Sequence, residues 1–243
     1  MRPPLVAFLA LLLSAPLTGG AAPDPNAVSA DERAAGFVSL FDGRTGRGWR
    51  GYRRAGFPSA GWTIQAGVLE HGGGSGKATG NDLISEAQYD DFELRLEFRL
   101  APGANSGIKY LVVERPGEKA AIALEYQLLD DERHPDAKNG RPGTRTLAGL
   151  YDLIAPPADK IVHPPGEWNE ARIVVRGNQI EHWLNGARTV AFERGSPAFL
   201  ALVANSKYRS EPGFAAARRG HILLQDHGDQ VGFRKIRIRR LAK

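Results

Sequence analysis

The chain has 243 residues, no cysteine, 32 Lys and Arg against 27 Asp and Glu, and a formal net charge of +5. The missing thiols exclude a disulfide framework, a thiolate metal centre and a lipid-modified N-terminal cysteine, so stability rests on the size of the apolar core. Much of the basic excess gathers in "FRKIRIRRLAK", whose alternating arginines read as the solvated face of an antiparallel edge strand rather than as a nucleic-acid surface.

The N-terminus carries Arg2, an apolar run from Leu5 to Leu13 and small residues through Ala22. This is the layout of a secretory signal peptide over residues 1–22, and its apolar run is too short to span a bilayer. Cleavage near Ala21 or Ala22 leaves about 220 residues, enough for one domain. The expected product is a periplasmic or secreted protein without stable membrane insertion. Residues 23–35 are polar and contain proline, and they are predicted to be a disordered lead-in to a domain over residues 36–243.

From "GFVSLFDG" onward, short alternating runs end at Gly, Asn, Asp or Pro, and no convincing amphipathic helical pattern intervenes. The fold is therefore predicted to be all-β. "HGGGSG", His71 to Gly76, reads as a flexible loop, since it lacks the Lys and following helix of a phosphate cradle. In "DFELRLEFRL", Phe92, Leu94, Leu96, Phe98 and Leu100 face inward and the charged residues outward. In "NSGIKYLVV", Ile108, Tyr110 and Val112 take the core side, leaving Asn105, Gly107 and Lys109 on the far face; in "AIALEYQLLD", Glu125 and Gln127 lie opposite the apolar side. "LLDDERHPDAKNG" gathers Asp130, Asp131, His134 and Asp136 in a loop that reads as solvated, or as a place to hold a hard cation or move protons.

"ARIVVRGNQIEHWLNGARTVAF" holds two-residue turn signals, Gly177-Asn178 and Asn185-Gly186, between three strand-like runs. The resulting meander pairs Val175 with Ile180, Ile173 with His182, and Trp183 with both Arg172 and Arg188. One face is core, where His182 is expected to be structural. The other sets Trp183 among arginines, either as a stacking platform for a ligand or as a covered surface tryptophan. Finally, "GHILLQDHGDQVGF" puts Ile222 and Leu224 in the core and aims His221, Gln225 and His227 at the far face, with Asp226 turned back to orient the loop or a neighbouring imidazole.

The segments "LFDGRTGRGW", "ANSGIKY", "LEYQLLDDERHPDA", "AGLYDLIAP", "GEWNEARIVVRGNQIEHWLNG" and "GHILLQDHGDQVGFRKIRI" occur in this order between Phe37 and Leu241. The ordered set resembles the 3-keto-disaccharide hydrolase domain family. The resemblance implies a concanavalin A-like jelly-roll β-sandwich of two antiparallel sheets, with carbohydrate on a concave face. It also implies an exported enzyme cleaving glycosides oxidised at C3, with a carbohydrate substrate; no cofactor and no metal ligand is assigned, and whether a divalent cation sits near Asp130 to Asp136 stays open. A C3 ketone acidifies the C2 proton, so the chemistry needs a base at C2, a donor for the enolate oxygen and an acid for the leaving group. Glu125 is the expected base, with His227 and His134 as candidate acids. Asn105, Lys109, Gln127, Asp130 and Gln225 are expected to bind sugar or enolate, and Tyr151 and Trp183 to stack. The competing reading is a non-catalytic, lectin-like binding module, which needs aromatics and amides but no converging carboxylate and imidazole; a structural domain would have no cleft. An ordinary retaining glycosidase is disfavoured because Gln127 stands two residues beyond Glu125, where a second carboxylate is expected.

Overall fold

The computed structural model describes residues 24–73, 80–118 and 120–242; the expected signal peptide and the second half of the glycine-rich stretch, residues 74–76, lie outside the described residues. Its strands are β1 (Val38–Ser39), β2 (Trp49–Gly51), β3 (Trp62–Gln65), β4 (Val68–Gly72), β5 (Leu83–Ser85), β6 (Phe92–Leu100), β7 (Asn105–Val112), β8 (Leu124–Leu129), β9 (Asn169–Arg176), β10 (Gln179–Leu184), β11 (Ala187–Glu193), β12 (His221–Leu224) and β13 (Gln230–Arg240). Helices α1 (Ala30–Ala34) and α2 (Pro197–Ala204) and a 3-10 turn at Pro135–Lys138 complete it. One sheet runs β11-β10-β9-β6-β13-β4-β3, with β1 added beside β13, and the other runs β2-β5-β12-β7-β8. The pairings are antiparallel, so the fold is the two-sheet sandwich predicted.

The core lies between the sheets, and alternation builds it. Phe92, Leu94, Leu96 and Phe98 of β6 are all buried, each contributing about 1.5–3 kcal/mol relative to exposure. The meander adopts the register read from its turns. Asn185 and Gly186 both take positive φ, as the hairpin turn with the right twist demands. His182 is 0 % exposed and packs against Tyr110 and Tyr126, with Tyr110 Oη 2.9 Å from its Nε2. Burial without a counter-charge pushes its pKa down to about 3. It is a core histidine.

Four sequence expectations need correction. The lead-in is ordered: Ser29 and Glu32 form a reciprocal capping box for α1, and buried Asn26 donates to Gly67 O (2.8 Å) and accepts from Lys235 N (2.8 Å). β13 is an interior strand between β6 and β4 rather than an edge. Its Arg234, Arg237 and Arg239 reach Glu97, Glu32 and Glu93, so local acidic partners cover the basic stripe. His71 and Gly72 belong to β4 rather than to a loop. Val112 leaves the core side because Leu111 takes φ 54°, a bulge that sends Leu111 inward and Val112 to a small cluster with Ile84 and Leu223 on the other face. Helix α2, with Ser196 as N-cap and Phe199 buried, lacked the periodic pattern that would announce it.

Candidate active site

In the smaller sheet, Gly107 lies opposite Gln127 and Lys109 opposite Glu125. Because Ile108 and Tyr126 between them enter the core, these polar residues share the outer face. There they line a cleft of about 350 Å³ together with Asn105, Gln225, His227, Tyr151, Lys207 and Tyr208. The volume is that of a small-ligand pocket.

Glu125 is 5 % exposed and lies across β7. A Cβ on Gly107 would sit 2.3 Å from Glu125 Oε1, so the glycine is what makes room for the carboxylate. Lys109 Nζ stands 3.8 Å from the other carboxylate oxygen and is held by donating to Ala121 O at 2.9 Å. A carboxylate and an ammonium thus face one cleft from adjacent strands.

Beyond β8, residues 148–151 dock along its free edge: Ala148 N donates to Gln127 O (2.9 Å) and Tyr151 N to Glu125 O (3.1 Å). That pairing sets the Tyr151 ring beside the carboxylate. Tyr151 Oη donates to Asp136 (2.7 Å), Asp136 pairs with Arg145 (2.8 Å), Arg145 with Asp152 (2.7 Å), and Asp152 accepts from Lys207 N (2.7 Å). The chain of contacts carries the loop after α2 over the cleft. Lys207 Nζ sits 4.1 Å from the Tyr151 ring centroid, and desolvation there lowers its pKa although Glu125 opposes the shift. Tyr208 is buried, stacked 4.0 Å from Phe214, and burial raises its pKa well above the ordinary phenol.

The "LQDHG" turn closes the other side. Gln225 N donates to Gly107 O (2.9 Å) and Ser106 Oγ to Gln225 O (2.8 Å), which ties the turn to β7. Asp226 is turned back and buried, accepting from Asn81 N (3.0 Å) and Gly228 N (2.9 Å) and pairing with His71 Nε2 at 3.1 Å. Burial alone would depress the His71 pKa, but the Asp226 hydrogen bond and charge outweigh it and raise it. His227 then projects into the cleft, with Nε2 3.3 Å from the Asn105 amide and Nδ1 3.9 Å from Asp229 Oδ2.

His134 meets His227 edge to face at 5.9 Å between centroids. Burial, then the neighbouring His227, lowers its pKa. His134, His227 and Asp229 bring ligand-type atoms within 4.8 Å of one another. However, His134 Nδ1 accepts from Asp136 N at 3.1 Å, which leaves the proton of the neutral ring on Nε2. That nitrogen is a hydrogen-bond donor and not a metal ligand while the contact persists.

Seven expected site residues therefore meet in one cleft: Glu125, His227, Asn105, Lys109, Gln127, Gln225 and Tyr151. His134 stands behind His227 as its neighbour and does not line the cleft. Asp130 is drawn away as a loop anchor, accepting from Gly103 N (2.7 Å) and pairing with Arg133 (3.1 Å). Trp183 is on the outer face of the larger sheet, under Arg172 at 4.7 Å and bonded to Glu181 at 2.9 Å, so it is a covered surface tryptophan outside this cleft. Asp131 and Asp136 likewise turn to separate partners, Lys160 and Arg145, and build no cage. Sequence reading missed Lys207, Tyr208 and Glu211, which line the cleft from an irregular loop; strand parity has no purchase there.

Residues 36–239 match the model of the 3-keto-alpha-glucoside-1,2-lyase-like domain. The chain belongs to this family. Within reach of it is a curated relative from Bacteroides thetaiotaomicron, named a 3-keto-disaccharide hydrolase, 36 % identical over 230 residues that cover 85 % of this chain and 79 % of the relative. Among solved structures, a protein provisionally named a glycosyl hydrolase from Parabacteroides distasonis superposes with a TM-score of 0.81 at 29 % identity, covering 89 % of this chain and 99 % of the other. A second such protein from that organism gives 0.57 at 26 % identity, covering 79 % and 99 %. The cleft of this 3-keto-alpha-glucoside-1,2-lyase-like domain is thus built on a sandwich shared by its relatives.

Proposed function

We propose that the protein is an exported carbohydrate-active enzyme that cleaves the glycosidic bond of 3-keto glycosides or disaccharides by removing the C2 proton and expelling the C1 substituent, with or without rehydration. The observation that carries this reading is that a buried carboxylate (Glu125), an imidazole (His227) and two ammonium groups (Lys109 and Lys207) face a single cleft, with a second carboxylate, Glu211, on its loop wall. A lectin-like surface needs no such set. The names borne by the relatives support the substrate class.

Glu125 takes the C2 proton, and the C2–H electron pair passes into the C2–C3 bond as the ketone becomes an enolate. Lys109, fixed by Ala121 O, and Lys207 place positive charge where that oxygen becomes negative. When the ketone re-forms, the pair moves into a C1–C2 double bond and the C1–O bond breaks; imidazolium His227 protonates the departing oxygen. Tyr151 and Tyr208 wall the sugar. Water adding back at C1, with a proton at C2, completes hydrolysis. The test is to incubate the purified protein with the 3-keto and unoxidised forms of one aryl glucoside and assay free aglycone. Release from the 3-keto form alone is expected, with Glu125→Gln losing most of it. Equal release from both forms, or binding without release, refutes the reading and favours an ordinary glycosidase or a binding module respectively.

A further inference from the structure

Asn105 and Gln127 are 3 % and 1 % exposed, which leaves little of either amide for a sugar hydroxyl. They stand instead between the two groups that move protons. One end of the Gln127 amide faces Glu125 Oε1 and Ser106 O, each at 3.3 Å; the other end faces the Asn105 amide at 3.2 Å. Asn105 in turn faces His227 Nε2 at 3.3 Å. An amide has one donating end and one accepting end, so the orientation of each link dictates the next.

Ionised Glu125 and the Ser106 carbonyl are both acceptors. Gln127 must then donate its NH2 to them and accept through its oxygen from Asn105 Nδ2, which turns Asn105 Oδ1 toward His227 and calls for a proton on Nε2. With Glu125 protonated the chain runs the other way, and only the Ser106 carbonyl loses its donor. The carboxyl O–H donates to Gln127 Oε1, Gln127 Nε2 donates to Asn105 Oδ1, and Asn105 Nδ2 donates to a bare Nε2, the ring proton remaining on Nδ1 toward Asp229.

We infer that the buried Asn105–Gln127 pair is a positioning relay that flips with the protonation of Glu125 and so matches the base and the acid of the site. This rests on the elimination reading above. The first arrangement, carboxylate with imidazolium, is the state that begins the reaction; the second, carboxylic acid with neutral Nδ1–H imidazole, is the state that ends it. The protons balance: one arrives at Glu125 from C2 and one leaves Nε2 for the aglycone oxygen. With both groups protonated, the second arrangement sets Asn105 Nδ2 against Nε2–H, two donors face to face, so the relay disfavours a proton on Glu125 while Nε2 keeps its own.

Glu125→Gln tests this without turnover. Lys109, a donor only, stands 3.8 Å from one carboxylate oxygen, so Gln at 125 turns its oxygen toward the ammonium and its NH2 toward Gln127, imitating protonated Glu125. At a pH where the His227 ring is neutral, long-range 1H–15N NMR on histidine-labelled protein, with His227 assigned from the His227→Gln spectrum, should show Nε2–H in the wild type and Nδ1–H in Glu125→Gln. The same change made in a Gln127→Leu background should leave the tautomer where it is. A through-space effect of the lost charge would bias the tautomer in the Gln127→Leu background as well, so that double variant separates it from the relay. The same tautomer in wild type and Glu125→Gln, or a switch that survives Gln127→Leu, overturns the relay. The elimination reading fails separately, if the wild type releases no aglycone from a 3-keto glucoside while the tautomer still switches.

Discussion

Gly107→Ala is the sharpest test of where the base must sit. The added Cβ would lie 2.3 Å from Glu125 Oε1, 3.0 Å from Cδ and 3.1 Å from Cγ, whereas ordinary contact begins at 3.4 Å. The carboxylate oxygen therefore has to retreat by 3.4 − 2.3 = 1.1 Å. The backbone at this position is ordinary strand, outside the positive-φ set, and Ala in a strand is favoured over Gly by about 0.5–1 kcal/mol. That gain offsets part of the repacking, so stability should change little. Rate should not be so tolerant, because a displacement of about 1 Å at the reacting group costs on the order of 10²-fold. The expected result is kcat on a 3-keto glucoside reduced about 10²-fold, KM within about threefold, and a midpoint in urea near that of the wild type. In combination with Glu125→Gln the loss should be far from additive, since both changes disable the same group. A Gly107→Ala enzyme with near-normal kcat would refute the claim that this carboxylate acts from this position.

His227→Ala should lower kcat by about 10²-fold or more, the scale of one general acid, and the deficit should shrink for substrates with a better leaving group such as nitrophenol; an equal deficit for all aglycones would remove His227 from that role. Trp183→Ala should leave KM within about twofold, because the ring packs under Arg172 on the opposite sheet; a large rise in KM would restore it as a sugar platform. His182 is held neutral, with its pKa pushed from 6.5 to about 3, so its contribution is complete above pH 6.5 and is lost as pH falls. The unfolded imidazole is half-protonated at pH 6.5, so the slope reaches about 1.4 kcal/mol per pH unit only below that, and the unfolding free energy should fall by about 2 kcal/mol between pH 6.5 and 4.5 from this residue. Urea titrations of His182→Leu at both pH values should show that much less acid sensitivity than the wild type, and an unchanged pH dependence would contradict the burial argument.

Strand parity carried most of the architecture because one side of each sheet is dry: a slip by one residue would place Glu125 and Lys109 in the core. The same rule brings Glu125, Gln127, Lys109 and Gln225 to one face. It failed at Leu111, where one bulged residue reverses the parity of Val112, and a bulge in an apolar run has no compositional mark. It also failed for Trp183. Parity correctly put that ring on a polar face but is blind to which of two sheets owns the face, and the order β10-β9-β6 settles that only in three dimensions.

Lys207 marks the deeper boundary of what a linear sequence conveys. It enters the cleft only because residues 148–151 extend β8, Tyr151 thereby reaches Asp136, and the Arg145–Asp152 pair anchors the backbone of Lys207. Each link is an ordinary polar contact, and the last, Asp152 to Lys207, spans 55 residues, so no local motif announces the outcome. The strands supply the proposed base, whose position a glycine defines, and one cation, Lys109, while the loops supply the second cation and most of the walls. Substitutions that retune the substrate should accordingly be tolerated in the loop after α2 and punished at Gly107, Glu125 and Gln127, since the loop only has to present a cation and a ring, whereas the strand positions determine where the carboxylate proposed as base stands.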